Sequence, residues 1–246
     1  MIASNPETEP AYVWDEEAVP RPDVSNLITE DDTPVDSIFE EKQTRLLISS
    51  LYDTWGVDFP FVAMSRVGVF TALNRPAVVP DVLLTTGVRS PKDIMQKESG
   101  SYFSWLYDGK PPEEVIEIVS NKKGNELGSK KRNYEHMGVT WYAVYDPMTL
   151  LSDEPLQLFA LEQSKYRKQP ADRLLGEVGL GLAIWEGEFE GTICHWLRWK
   201  MADGKLVQTG KERGDAEAAR AQTEAARADK LAEKLRELGI DPASLD

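Results

Sequence analysis

The sequence predicts an α/β domain followed by a long charged helix, and three observations carry that prediction. Apolar residues recur at helical spacing just after Ser37. Short β-branched and aromatic runs then alternate with turn residues, and the stretch from Lys211 to Leu238 is dominated by Ala, Glu, Arg and Lys. Three parts follow: an acidic tail over 1–36, a folded domain over 37–204 and a charged helical end over 205–246.

The tail combines Pro6, Pro10, Pro20, Pro22 and Pro34 with ten acids and one Arg, a net charge of −9, and shows no sustained period. Such a composition buries too little apolar surface to fold alone, so a disordered or loosely docked tail is expected, with Val13 and Trp14 able to dock on a partner. A first helix of about four turns is expected from Ser37, its N-cap, through Ile38, Leu46, Leu47, Ser50 and Leu51. Phe59 to Phe70, Ala77 to Thr85 and Val115 to Val119 read as strands, the second interrupted by Pro80 and Asp81 and the third only by Glu117. A helix is expected over Asn125 to Met137, ended by Gly138, and another strand over Thr140 to Tyr145. Strand, helix and strand in that order predict a right-handed parallel crossover. Leu156 to Leu161, Tyr166 and Leu180 to Trp185 are expected as further strands, antiparallel additions carrying Trp185 and Trp196. Along the last helix the apolar seam is mostly alanine until Leu231. It reads either as a weak coiled coil that pairs two copies or as a solvated helix with its own charge pairs.

Bulk properties narrow the function classes. The 246 residues hold one sizeable domain, and 41% hydrophobic content with seven tryptophans can fill its core. Cys194 is alone, so neither an internal disulfide nor a cysteine-based zinc site is expected, and a reducing cytoplasm fits. No apolar run reaches 18 residues and the start is acidic, so no membrane span or secretory signal is read. The net charge of −14 argues against duplex binding at first sight, yet the tail holds most of it and leaves about −5 elsewhere.

Two carboxylates, Asp81 and Glu117, sit inside apolar strands, where an unpaired charge is costly. On neighbouring strands they could converge at one sheet edge and hold a hard cation such as Mg²⁺ through oxygen. Glu126, Lys130 and Tyr134 are spaced by four and share a helix face just after Glu117. Taken alone, Glu126 and Lys130 read as a surface ion pair of a few tenths of a kcal/mol. Lys122, Lys123, Lys130, Lys131 and Arg132 form a local basic cluster, which either meets a phosphate backbone or is simply solvated. Ser99 to Trp105 reads as a loop near the same cleft. His136 suits a helix end and His195 an outer strand, too few histidines for a His-based site.

Taken in order, Pro80-Asp81, Glu117-Ile118-Val119-Ser120, Glu126-x3-Lys130-x3-Tyr134 and Gly138-Val139-Thr140-Trp141-Tyr142-Ala143-Val144-Tyr145-Asp146-Pro147 resemble the running pattern of the Uma2 family. That family is a branch of the PD-(D/E)xK nuclease superfamily. The resemblance spans Ser37 to Pro147 and extends more weakly to Trp199. It implies a restriction-endonuclease-like mixed central sheet flanked by helices, with Mg²⁺ or Mn²⁺ held by Asp81, Glu117 and the main-chain carbonyl of Ile118. It also implies that Lys130 stands in for the lysine that many superfamily members carry two residues after the acid, a place taken here by Val119. Lys131 is the alternative in a shifted register. Glu126, where the family pattern has Asp, and Tyr134 are supporting residues. An acid from the first helix is also implied, with Glu41 the candidate and Glu40 and Gln43 equally reasonable. The expected activity is metal-dependent hydrolysis of DNA phosphodiesters. The alternative is a nuclease fold without catalysis that binds protein partners through the tail or the C-terminal helix.

Overall fold

The structure, a computed structural model, describes residues 23–25, 27, 37–73, 75–122, 125–176 and 179–238. Val13, Trp14, the tail acids other than Asp23, and Lys123 lie outside the described residues.

Ser37 starts α1 (Ile38–Thr54), its hydroxyl accepting from the Glu40 N–H at 3.1 Å. β1 (Phe61–Met64) follows, then a turn, then β2 (Val69–Phe70). The expected run from Phe59 to Phe70 is thus two short strands in different sheets. β3 (Val82–Thr86) begins only after Pro80 and Asp81, because proline has no N–H to give a ladder. β4 (Tyr102–Phe103) pairs in parallel with β2. The Ser99 to Trp105 stretch is therefore not an open loop: Tyr102 and Phe103 are buried. β5 (Glu114–Ile118), α2 (Lys131–Met137) and β6 (Trp141–Tyr145) make the expected crossover, with β5 and β6 parallel. β7 (Leu156–Glu162) and β8 (Lys165–Gln169) complete a sheet of order β1-β3-β5-β6-β7-β8, antiparallel everywhere but at β5–β6.

β9 (Leu180–Phe189) and β10 (Thr192–Met201) form a separate antiparallel hairpin. α1 holds it: Gln43 donates to the Leu197 carbonyl and accepts from the Leu197 N–H, both at 2.8 Å, and the Trp199 indole N–H donates to Leu47 O at 2.8 Å. Side-chain alternation divides the core. Ile116 and Ile118 pack with Leu47, Leu51 and Trp199 on the α1 side, while Val115 and Val119 pack with Tyr134 and Tyr142 on the α2 side. Glu117 has the parity of Val115 and Val119, so it faces α2. Val24 is buried against Phe70 and Phe103, so the expected tail docks on the domain at this residue.

α3 (Gly210–Glu237) opens with a capping box between Thr209 and Glu212. Buried Arg198 grips Glu212 through two bonds of 2.7 and 2.6 Å and the Val207 carbonyl at 2.8 Å. Beyond that root the helix buries no residue.

Candidate active site

The site grows from the place where β3 and β5 part. Their pairing ends at Val82 opposite Ile116. Just beyond it, the Asp81 carboxylate replaces a backbone acceptor and takes the Ile118 N–H at 2.7 Å. This bond fixes Asp81 beside the β5 segment that carries Glu117.

Glu117 is 0% exposed. Tyr134 OH donates to its Oε1 at 2.6 Å and Lys130 Nζ donates to its Oε2 at 2.8 Å. Burial, and then the neighbouring Asp81 charge, push the Glu117 carboxyl up to about 8, against the pull of Lys130 and Tyr134. For Lys130, burial works downward, but Glu117, Asp81 and Glu126 together raise the ammonium above its ordinary value. Burial, then Glu117, holds the Tyr134 phenol well above its usual range, so it stays a donor.

Glu126 arrives by a less regular route than the spacing suggested. Asn125 has φ 60, residues Glu126–Lys130 form a single π-turn, and Gly128 at φ −107, ψ −106 breaks the helix before α2 begins. A Cβ at Gly128 would overlap the Asn125 side chain. Glu126 is therefore not on one continuous helix face with Lys130 and Tyr134. Its side chain is still turned inward, 5% exposed, and its Oε2 has no hydrogen-bond partner among the described residues. Burial raises this carboxyl, Lys130 opposes the rise, and Asp81 and Asp146 add to it. The kink needs the open backbone of Gly128, whose only mark in the sequence is a glycine inside an apparent helical period.

Other candidates lie elsewhere. Lys131 points away, its Nζ 3.4 Å from the centroid of the Phe159 ring. Glu41 pairs with Arg45 on the surface, and Gln43 serves the β10 backbone. Glu40, from the same helix turn, is buried and ion-paired with Arg66, whose N–H donates to the carbonyl of Pro80 at 3.1 Å. Of the three first-helix candidates it is thus the one tied to the Asp81 strand. Lys122 and Arg132 are exposed. His136 is exposed near the end of α2, and His195 lies on the outside of the hairpin, 3.8 Å from Glu186. Asp146 caps the loop after β6, accepting from the N–H groups of Leu150 and Leu151 at 2.8 and 2.7 Å.

Among the described residues no three His, Cys, Asp or Glu side chains converge as a ready metal cage. A small hard cation needs less, since Mg²⁺ commonly takes one or two carboxylates and keeps several waters. Asp81 raises both Glu117 and Glu126, all three acids act on the Lys130 ammonium, and Glu126 Oε2 is buried without a partner among the described residues. That donor set fits a divalent cation.

Residues 28–185 match the Uma2 family, described as "Putative restriction endonuclease". No curated protein and no solved structure matches the chain significantly.

Proposed function

The chain belongs to the Uma2 family, and from that premise we propose that it is a metal-dependent endonuclease hydrolysing phosphodiester bonds in DNA. Restriction-endonuclease-like families generally use divalent metals and bind DNA, and the proposal gives both to this edge of the sheet. The observation that carries the reading is Glu117, a fully buried carboxyl held by Lys130 and Tyr134, beside an Asp81 fixed to the next residue of the same strand. Asp81, Glu117 and the main-chain carbonyl of Ile118 would hold Mg²⁺ or Mn²⁺. When bound, such a cation supplies an activated water and neutralises charge building on the phosphate.

The chain's own groups do the rest. Lys130 places a fixed ammonium at the edge, where it stabilises a developing anionic phosphate. Tyr134 orients Glu117 from the interior side, and Glu126 keeps negative potential behind Lys130. Incubation with DNA in several forms and Mg²⁺ or Mn²⁺ tests the reading. Cleavage is expected from the natural protein and not from Asp81→Ala/Glu117→Ala, and undiminished cleavage by that double variant would remove the assignment.

A second reading, a scaffold without catalysis, draws support from the same geometry, since both Glu117 oxygens already have donors and Val119 occupies the usual lysine position. Calorimetry with millimolar Mg²⁺ separates the two, because only the nuclease reading requires heat of cation binding.

A further inference from the structure

The Lys130 ammonium stands on an oxygen that the proposed chemistry needs. Its Nζ donates to Glu117 Oε2 at 2.8 Å, while Tyr134 OH takes Oε1 at 2.6 Å. If Glu117 serves a divalent cation, the ammonium shares one carboxylate with that cation, and like charges at such range repel. Tyr134 is fully buried and keeps its proton, so no such repulsion acts on it. Lys130 is the group able to yield: its side chain is 31% exposed and its four-carbon stem is flexible.

Glu126 offers an alternative partner. It and Lys130 begin and end the same π-turn, and their charges act on one another. The Tyr142 hydroxyl donates to the Glu126 carbonyl at 2.8 Å, which pins the backbone of that turn. Glu126 Oε2 is buried without a hydrogen-bond partner among the described residues, and an acceptor left unmet in the interior is costly. Three acids act on the Lys130 ammonium: Glu117, Asp81 and Glu126. The nuclease reading gives the first two to the cation, which leaves Glu126.

We propose that Glu126 is a second seat for the Lys130 ammonium, which leaves Glu117 Oε2 and pairs with Glu126 whenever Glu117 serves a divalent cation. The inference rests on the nuclease reading and adds to it the movement of one side chain. Glu126 is a positioning residue: it keeps the ammonium at the edge of the sheet instead of releasing it to solvent. One of the two donors on Glu117 is then exchangeable, and the occupied carboxylate does not bar a cation.

The test follows Lys130 by NMR in the natural protein, with lysine and glutamate carbon-labelled, during titration with Mg²⁺ at mildly alkaline pH. Without Mg²⁺, the Lys130 Hε protons should show nuclear Overhauser contacts with Glu117 Hγ. With saturating Mg²⁺ these should fade and contacts with Glu126 Hγ should replace them. Calorimetry on Glu126→Gln, which keeps the shape and removes the charge, gives a second readout. The substitution should weaken Mg²⁺ binding about tenfold in the natural background, the size of one charge-assisted hydrogen bond, but less than about threefold alongside Lys130→Met. Bound Mg²⁺ with the contacts between Lys130 and Glu117 unchanged would overturn the exchange and leave the nuclease reading intact. So would an equal loss from Glu126→Gln in both backgrounds, which would make Glu126 a ligand of the cation itself. No Mg²⁺ binding by the natural protein would sink the nuclease reading, and the exchange with it.

Discussion

Glu117 is fully buried with two donors upon it, and its acidity follows from that balance. An ordinary glutamate titrates near 4.5, whereas this one is pushed up to about 8. The folded protein thus holds this proton more tightly than the unfolded chain. Its stabilising contribution is full below pH 4.5 and is lost as the pH climbs toward 8. Cation binding runs the other way, because a ligand carboxyl must first give up its proton. On the proposed reading, Mg²⁺ affinity measured by calorimetry increases about tenfold per pH unit below 8 and levels off above it. A flat profile would contradict Glu117 as a ligand. Tyr134→Phe, which removes one donor, should shift that profile to higher pH and cost about 1–3 kcal/mol in urea unfolding. Glu114 gives a control away from the site. It is buried, neither of its oxygens has a hydrogen-bond partner among the described residues, and burial holds it well above the carboxylate range. Its sign is the same as for Glu117, so Glu114→Met should raise the urea midpoint, most of all at alkaline pH.

Among the elements, the loop from Asn125 into α2 decides where Glu126 and Lys130 stand. Gly128→Ala should displace the Asn125 side chain and break its 2.9 Å bond to Ser129, costing about 1 kcal/mol. Asn125→Ala/Gly128→Ala should recover part of that loss, and additive costs in thermal unfolding would refute the contact. α1 offers a parallel case, since Gln43→Leu strands both backbone groups of Leu197. A loss of about 2–5 kcal/mol is expected in urea unfolding. The sequence announced these elements unevenly. Ser37, the apolar period of α1, the β5–α2–β6 succession and the two acids inside apolar strands were readable, because burial and helical spacing leave a periodic trace, whereas Lys130 and Tyr134 beside Glu117 came only from the family resemblance, since their spacing alone reads as a surface pair. The π-turn was not, because Glu126 and Lys130 four apart look alike on a straight helix and a broken one. The choice among Glu40, Glu41 and Gln43 was equally hidden, since adjacent residues on a helix differ by a rotation that only the partners Arg66, Arg45 and Leu197 reveal. Nothing local in Ser65-Arg66-Val67 signals a left-handed turn.

For the molecule as a whole, net acidity is compatible with the proposed DNA partner because charge is unevenly distributed along the chain. Ten acids precede Ser37, while Lys122, Lys130, Lys131 and Arg132 cluster after Glu117. α3 adds a shaft of 28 residues, about 42 Å long, rooted by Arg198 and Glu212. Leu231 on it is 64% exposed, so Leu231→Asp should move the thermal midpoint by less than about 0.5 kcal/mol equivalent if the shaft stands alone. A larger, concentration-dependent shift in sedimentation and melting would instead reveal pairing between copies. A last consequence belongs to the Ile118 amide, which is bonded to a side-chain carboxylate where the ladder would otherwise have offered a carbonyl. Its proton resonance and its deuterium uptake should follow the making and breaking of that contact, giving spectroscopists one backbone signal that reports on the edge of the sheet without any label near it.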